Sequence, residues 1–282
     1  MLQPLHLTRI DRAIDEAKEF FNADLHPDNE ALTTCMVLLS QVAMRAGYSW
    51  THQISQILEI ESRLWRDDSI ACTSDANHIL EGLGGLDMDV WIVGRQTEPL
   101  HIWATWCMGR EGIEPITGLP RPLLDLIARV SRKEDVASEL RQFIATLPHM
   151  PTSAESLWRC FTVTALLCIE GNLRPCGVGN VTPQLLKLLR VFISSSTGED
   201  NLRSLGWPAF ELGIHIQDNA QGGMALVDTI LAHLFEQSGE GWRRPQGSLR
   251  SLMKQFWTER DKCGHEIAYR TLQSRAVEIG LW

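Results

Sequence analysis

Residues Ile113 to Ser131 read IEPITGLPRPLLDLIARVS, a tight turn that runs straight into an amphipathic helix. Gly118 supplies the permissive backbone that such a turn needs. Pro120 and Pro122 then fix two φ angles, and proline is tolerated in the first helical turn because the N–H it lacks has no partner there. Leu123, Leu124, Ile127 and Val130 follow at helical spacing and make one apolar face, which predicts a helix over about Pro122 to Arg132. The segment carries no catalytic constellation.

The same periodicity extends in both directions. Upstream, Ile10, Ile14, Ala17, Phe21 and Leu25 form one stripe. Asp28 or Asn29 can cap a second helix through Leu32, Leu39 and Ala46, with Gly47 as its left-handed end. A third helix starts near Ser49 and carries Ile54, Ile57, Leu58, Leu64 and Trp65. Downstream, Val136, Leu140, Phe143, Ile144 and Leu147 share a face. Thr152 and Glu155 make a capping box ahead of a helix to about Glu170. Thr182 and Pro183 read as a cap and first helical position. Trp207-Pro208 opens a helix that buries Phe210 and Ile214. Gly222-Gly223 precedes another helix, Ser248 caps the next, and the tail from Glu266 to Gly280 is expected to be helical. The stretch from Asp67 to Gly112 is less regular. Its DMDVWIVG run fits a short strand, and Trp91, Trp103 and Trp106 fit a buried helical hairpin equally well, so it is read as irregular with some helix. With about ten helices and no convincing strand pair, the expectation is an all-α fold, a single irregular helical domain over residues 1–282. No fixed-period repeat and no Pro- or Gly-rich linker divides it.

Composition narrows the function classes. The formal net charge of −9 argues against a chain that grips nucleic acid by itself, because phosphate contacts need Lys and Arg. The cysteines, seven in all, form no C-x-x-C pair, and the first residues carry no long apolar run of a secretory signal. These features read as a reducing compartment. The longest stretch without a formal charge, Ala31 to Met44, is too short to span a bilayer, so no membrane segment is expected. Ten tryptophans against two tyrosines provide for a sizeable core or the walls of a pocket, with core packing the preferred reading.

Candidate chemistry is sparse. No P-loop, G-x-S-x-G elbow or H-E-x-x-H motif occurs. Gly82 and Gly84 begin a G-x-G, but Asp87 stands at the third glycine position. Asp67-Asp68 is the one adjacent aspartate pair, and Ala71 stands where magnesium-dependent isoprenoid chemistry would want another carboxylate. Cys263-Gly264-His265 offers two metal ligands without a second pair and reads as a surface turn. His215 reads as a core or rim histidine. Arg243, Arg244, Arg250, Lys254, Arg260 and Lys262 form a basic cluster in which Arg250 and Lys254 share a helix face. No catalytic, cofactor-binding or metal-ligating residue is assigned, and the chain is not expected to be an enzyme.

In order and wording the helices resemble the fungal-specific transcription factor domain, the helical regulatory region that follows a binuclear zinc cluster in many fungal activators. LTTCMVLLSQVAMRAGYSWTHQISQILEIESRL, residues 32 to 64, resembles the family's leucine-rich helix, its Gly–Ser–Trp turn and the helix beginning with His. The Ile113 to Ser131 stretch resembles its Ile-Asp-Pro…Gly…Leu-Leu…Ile segment, with Glu114 where Asp is usual. LGWPAFELG, residues 205 to 213, is similar to its Trp-Pro helix start, and LMKQFWTERD, residues 252 to 261, to its closing helix. The family's six closely spaced cysteines have no counterpart, since only Cys35 lies in the first seventy residues. The resemblance therefore implies a regulatory domain that is N-terminally incomplete and lacks the DNA-binding module.

What the resemblance implies is a nuclear transcriptional regulator that controls a metabolic or biosynthetic gene set. Its partners would be a second copy or a related transcription factor, with DNA reached through a missing module or a partner. A small apolar ligand is a further expectation. The alternatives are a stand-alone interaction protein that modulates a full-length zinc cluster factor, and an all-α isoprenoid-type enzyme.

Overall fold

Gly118 sits at φ +67 and makes the expected turn in the computed structural model. Its N–H donates to Glu114 O at 2.9 Å, and Ile113 pairs with Pro120 across the loop. Glu114, buried, accepts from the Ile116 and Thr117 N–H groups at 2.9 and 2.6 Å, so its carboxylate is the internal frame of the turn. The helix that follows spans Arg121–Ser131 with proline in its first turn. Leu123, Leu124, Ile127 and Val130 are all buried.

The structure describes residues 49–64, 74–148, 152–173, 181–195, 204–216, 222–236, 249–276 and 278–281, with 38 and 40. The helices are α1 (Thr51–Leu64), α2 (Ser74–Leu86), α3 (Arg121–Ser131), α4 (Ala137–Thr146), α5 (Ser153–Leu173), α6 (Val181–Ser195), α7 (Gly206–His215), α8 (Gly223–Glu236), α9 (Leu249–Cys263) and α10 (His265–Arg275). The fold is all-α, as the periodicity predicts. The stripe at Ile10 to Leu25, nearly all of the Leu32 to Ala46 helix, Gly47, the Asp67-Asp68 pair and Ser248 lie outside the described residues.

α5 is the hub, packed against α3, α4, α6 and α7. Cys160, Phe161, Val163, Ala165, Leu166, Leu167, Cys168 and Ile169 are buried around its whole circumference, which is how an enclosed helix reads. Buried Thr162 and Thr164 donate their hydroxyls to the carbonyls four residues back, each at 2.7 Å, so neither costs an unmade hydrogen bond. The capping box at its start is present: Thr152 N–H donates to Glu155 Oε2 at 2.7 Å and Glu155 N–H to Thr152 Oγ1 at 3.3 Å. Trp91, Phe161 and Trp207 meet edge to face, with centroids 5.6 to 6.3 Å apart, at the centre of a core that runs from Trp50 to Leu281.

Two expectations need correction. A strand pair exists: β1 (Ile92–Val93) pairs antiparallel with β2 (Ile279–Gly280). The tail is therefore not helical to Gly280; α10 ends at Arg275 and the chain turns back into the core. β1 falls in the DMDVWIVG run that fits a short strand, whereas the two residues of β2 carry too little alternation to signal one. Second, α6 begins at Val181, so Thr182 lies inside its first turn and is not its cap. The tryptophan-rich stretch is irregular with some helix, as read: of its two alternatives the short strand is present at Ile92–Val93 and the helical hairpin is not, since Trp91 closes a single 3-10 turn, Trp103–Cys107 form a π-helical turn, and Trp106 is exposed.

Ala276 and residues 278–281 lock the structure. Leu281 N–H donates to Trp91 O and Leu281 O accepts from Trp207 N–H, both at 2.9 Å. Glu278 is completely buried at a positive φ of +41. Its carboxylate accepts from the Trp50 N–H, from Thr51 N–H at 2.8 Å, from the Thr51 hydroxyl, from Ser49 Oγ at 3.0 Å and from Gln96 N–H at 3.0 Å. The Trp50 indole N–H returns a bond to Glu278 O at 2.7 Å. This carboxylate caps α1 from a distant part of the chain, and the helix N-terminus favours its charge.

Burial by itself would raise the Glu278 carboxyl, but the Thr51, Trp50 and Gln96 donors outweigh it and hold the group below its ordinary range. A carboxyl depressed in the folded state stabilises above its unfolded pKa and loses that stabilisation as pH falls through its folded one. Glu278→Gln is expected to cost about 2–3 kcal/mol at neutral pH, the scale for hydrogen bonds to a buried charge. In urea unfolding, the gap to wild type should narrow below about pH 4; equal midpoints at pH 7 would refute the assignment.

Candidate functional site

Helices α3, α5, α7 and α10 do not close completely on the Asp89–Val93 segment. They leave a cavity of about 610 Å³, within the range that accommodates small-molecule ligands. Helical spacing builds its walls. Glu211 and His215 stand one turn apart on α7. His265, Tyr269 and Gln273 recur every fourth residue on α10 and so share a face. Val90, Val93, Val130, Phe210 and Ile214 supply the carbon-rich lining.

The polar groups are oriented by specific contacts. Gln273 accepts from Gly94 N–H at 2.8 Å through Oε1, which turns its Nε2 to donate to Tyr269 Oη at 2.9 Å. The Tyr269 O–H is thereby left to donate elsewhere. The His265 ring bonds Ile214 O at 3.2 Å through Nε2. A carbonyl can only accept, so Nε2 carries the proton. The His265 ring lies nearly parallel to Tyr269, 11° at 6.2 Å, and to His215, 23° at 6.0 Å. The His215 side chain is nine-tenths buried, and its approach to Glu211 Oε2 at 3.6 Å is too long for a hydrogen bond. Gly171 presses directly on it: a Cβ there would fall 2.3 Å from His215 Cε1.

Electrostatics sets the protonation pattern. Burial raises the Asp89 carboxyl despite nearby Arg95 and Lys133. Burial lowers His265, assisted by His215, and so favours its neutral form. Burial also raises the Tyr269 phenol, with Glu211 adding to the effect. Cys168, beside Glu211, is held as a thiol well above its usual range by burial first and the carboxylate second. That is the opposite of an activated nucleophile. Arg95 is committed elsewhere, to Asp87 Oδ1 at 2.6 Å and Asp87 O at 2.9 Å.

The residues singled out from sequence are only partly at this site. His215 is a wall residue. His265 is in the cavity, but Cys263 is exposed at the end of α9 and bonds Glu259 O at 3.0 Å. Among the described residues no three His, Cys, Asp or Glu side chains converge to hold a metal ion. Gly82 and Gly84 lie inside α2, where Gly84 lets the backbone of Trp103 approach to 3.1 Å of a built Cβ, a packing role and not a phosphate loop. Arg250 and Lys254 share the face expected, and both reach Asp228 on α8, at 2.7 and 3.1 Å. Arg260 donates to Ile216 O. No tryptophan is among the described lining residues. Glu211, Tyr269, Gln273 and Asp89 were missed because one carboxylate or phenol on a helix has no signature until other helices converge on it. The fourfold spacing of His265, Tyr269 and Gln273 was the one available signal.

No family model matches the chain, and neither the curated proteins nor the solved structures contain a match. Among the described residues no helix is long and apolar enough to cross a membrane.

Two outcomes follow from this geometry. In Gly171→Ala the His215 ring must turn away, while the gain in helix propensity of about 1 kcal/mol offsets part of the clash. His215 imidazole resonances should therefore move with little change in stability; unmoved resonances would contradict the packing. Burial pushes the Cys107 and Cys160 thiols up to about 12. Brief iodoacetamide treatment at about pH 8 should label Cys263 and spare Cys107, Cys160 and Cys168 in peptide mass mapping.

Proposed function

We propose that this protein is a transcriptional regulator of the fungal zinc cluster type, acting through its helical regulatory region on a metabolic or biosynthetic gene set. The observation that carries this reading is that residues of the family-like segments are themselves used to hold the fold together. Trp257, in the fourth segment, donates its indole N–H to Gly213 O, in the third, at 2.9 Å. Gly213 also packs on Met253, where an added Cβ would meet Sδ at 2.9 Å. Trp50, in the first segment, is held by Glu278. The turn of the second is held at Gly118 O by the Trp158 indole at 3.0 Å. Trp257 and Gly213 thus join two of the segments directly, while Trp50 and Gly118 are held by Glu278 and Trp158, which lie outside all four. The buried, protonated thiols and the absence of a paired nucleophile and base among the described residues favour a non-catalytic role.

The site of action is then the nucleus, with DNA reached through a separate module or a partner factor. A second copy or a related factor is the expected partner. Exposed Trp106, Met108, Ile113 and Ile116 all fall within residues 106–116 and favour a protein-contact role there. The stand-alone reading, a modulator of a full-length factor, draws on the same feature.

The whole chain fused to a heterologous DNA-binding domain tests the proposal. The fusion is expected to change a cognate reporter by about an order of magnitude, on the scale of a strong population shift. A fusion that is expressed and nuclear yet leaves the reporter at the level of the DNA-binding domain alone overturns direct regulation. If that silent chain co-purifies with a zinc cluster factor, the modulator reading replaces it.

A further inference from the structure

We propose that the cavity between α3, α5, α7 and α10 is a binding site for a small aromatic amine, a flat ring bearing a protonated nitrogen. The inference stands apart from the regulatory reading, since it uses only the cavity's own groups.

Charge comes first. Asp89 and Glu211 both face the cavity, and Tyr269 lies within electrostatic reach of each. Their compensation is incomplete. Arg95 is spent on Asp87 and the Thr97 carbonyl. Lys133 is exposed. His265 donates its one proton to Ile214 O, and burial disfavours a second. Glu266 already pairs with Arg270 on its own helix. An anion entering this space would meet two carboxylates and no uncommitted buried cation among the described residues. A cation would meet complementary charge in a space where water screens weakly.

Ring geometry supplies the second argument. His215, His265 and Tyr269 form a ladder of near-parallel rings, with Phe210 also in the lining. Aromatic faces attract cations and stack against flat rings. Val93, Val130 and Ile214 offer apolar cover to such a ring.

The third argument is the His215 side chain, nine-tenths buried and without a hydrogen bond among the described residues. A buried polar group left in that state is uncommon unless water or a ligand completes it. A bound ammonium group donating to both Glu211 and His215 would complete the pair. This ligand is not the apolar one expected from the tryptophan count, because none of the described tryptophans lines the cavity.

Tryptamine is the probe, with indole-3-propionate as the ring-matched anion and indole as the neutral control. Titration followed by calorimetry and by His and Tyr ring resonances is expected to give millimolar or tighter binding of tryptamine, the range for a fragment of this size. Indole-3-propionate should bind at least about tenfold more weakly. Glu211→Gln and Asp89→Asn should each weaken tryptamine by about fivefold or more, and Tyr269→Phe, which keeps the ring, by less. Thermal unfolding checks that each variant is folded; if one is not, the other carboxylate variant carries the test. No tryptamine binding at about tenfold above the millimolar range, equal binding of amine and carboxylate, or full binding in both folded carboxylate variants overturns the proposal. Tryptamine binding that leaves the His215, His265 and Tyr269 resonances unmoved places the ligand elsewhere and also overturns it.

Discussion

One buried carboxylate holds together parts of the chain that are far apart in sequence. Glu278 gathers the backbone of Trp50, Thr51 and Gln96, and its own carbonyl takes the Trp50 indole. A buried charge without these donors would cost several kcal/mol, so the arrangement forms as a unit or not at all. Everything around Ala276 and residues 278–281 is shaped to admit them. Gly94 sits at φ +73, where a Cβ would fall 2.3 Å from Ala276 O, and Gly206 leaves room for Leu281 O. The short strand pair is a consequence of this insertion and not an independent sheet.

From that lock the rest follows by packing. Once Leu281 is bonded to Trp91 and Trp207, the two indoles meet Phe161 of α5, the helix buried all round. A second buried carboxylate, this one ion-paired, secures the other flank: Glu81 of α2 takes Arg121 at 2.7 and 2.9 Å and Arg110 at 3.0 Å. Burial works against the Glu81 carboxylate, and the two guanidinium groups outweigh it, leaving its pKa lowered. α3 is thereby held at its first residue, and its far end, Val130 and Ser131, is brought to the cavity rim. The cavity is where this scaffold leaves helices unable to close, and its polar groups keep their orientation through Gly94, Gln273 and Ile214.

Much of the fold was legible locally. The Gly118 turn, the proline-led helix after it, the Thr152–Glu155 box and the stripes of α1, α3 and α4 depend on neighbours within one or two turns, and the structure has them. The readings that differ fall where local signals are shortest: the start of α6 and the two-residue β2. Of the cavity's polar residues, His215 was legible as a rim or core residue. His265 was noticed for its neighbour Cys263, whereas its actual relations are with Tyr269, His215 and the Ile214 carbonyl.

The amino-acid order by itself settled that this chain is helical, where most helices run and which faces they bury, because period, caps and turn residues act through adjacent backbone. Tertiary structure alone decided that Glu278 caps a helix 227 residues away, that Trp257 reaches Gly213, and that Asp89, Glu211, His215 and Tyr269 share one hollow. Those relations rest on the geometry of packed helices. A side chain's distant partner leaves no mark on the spacing of its neighbours.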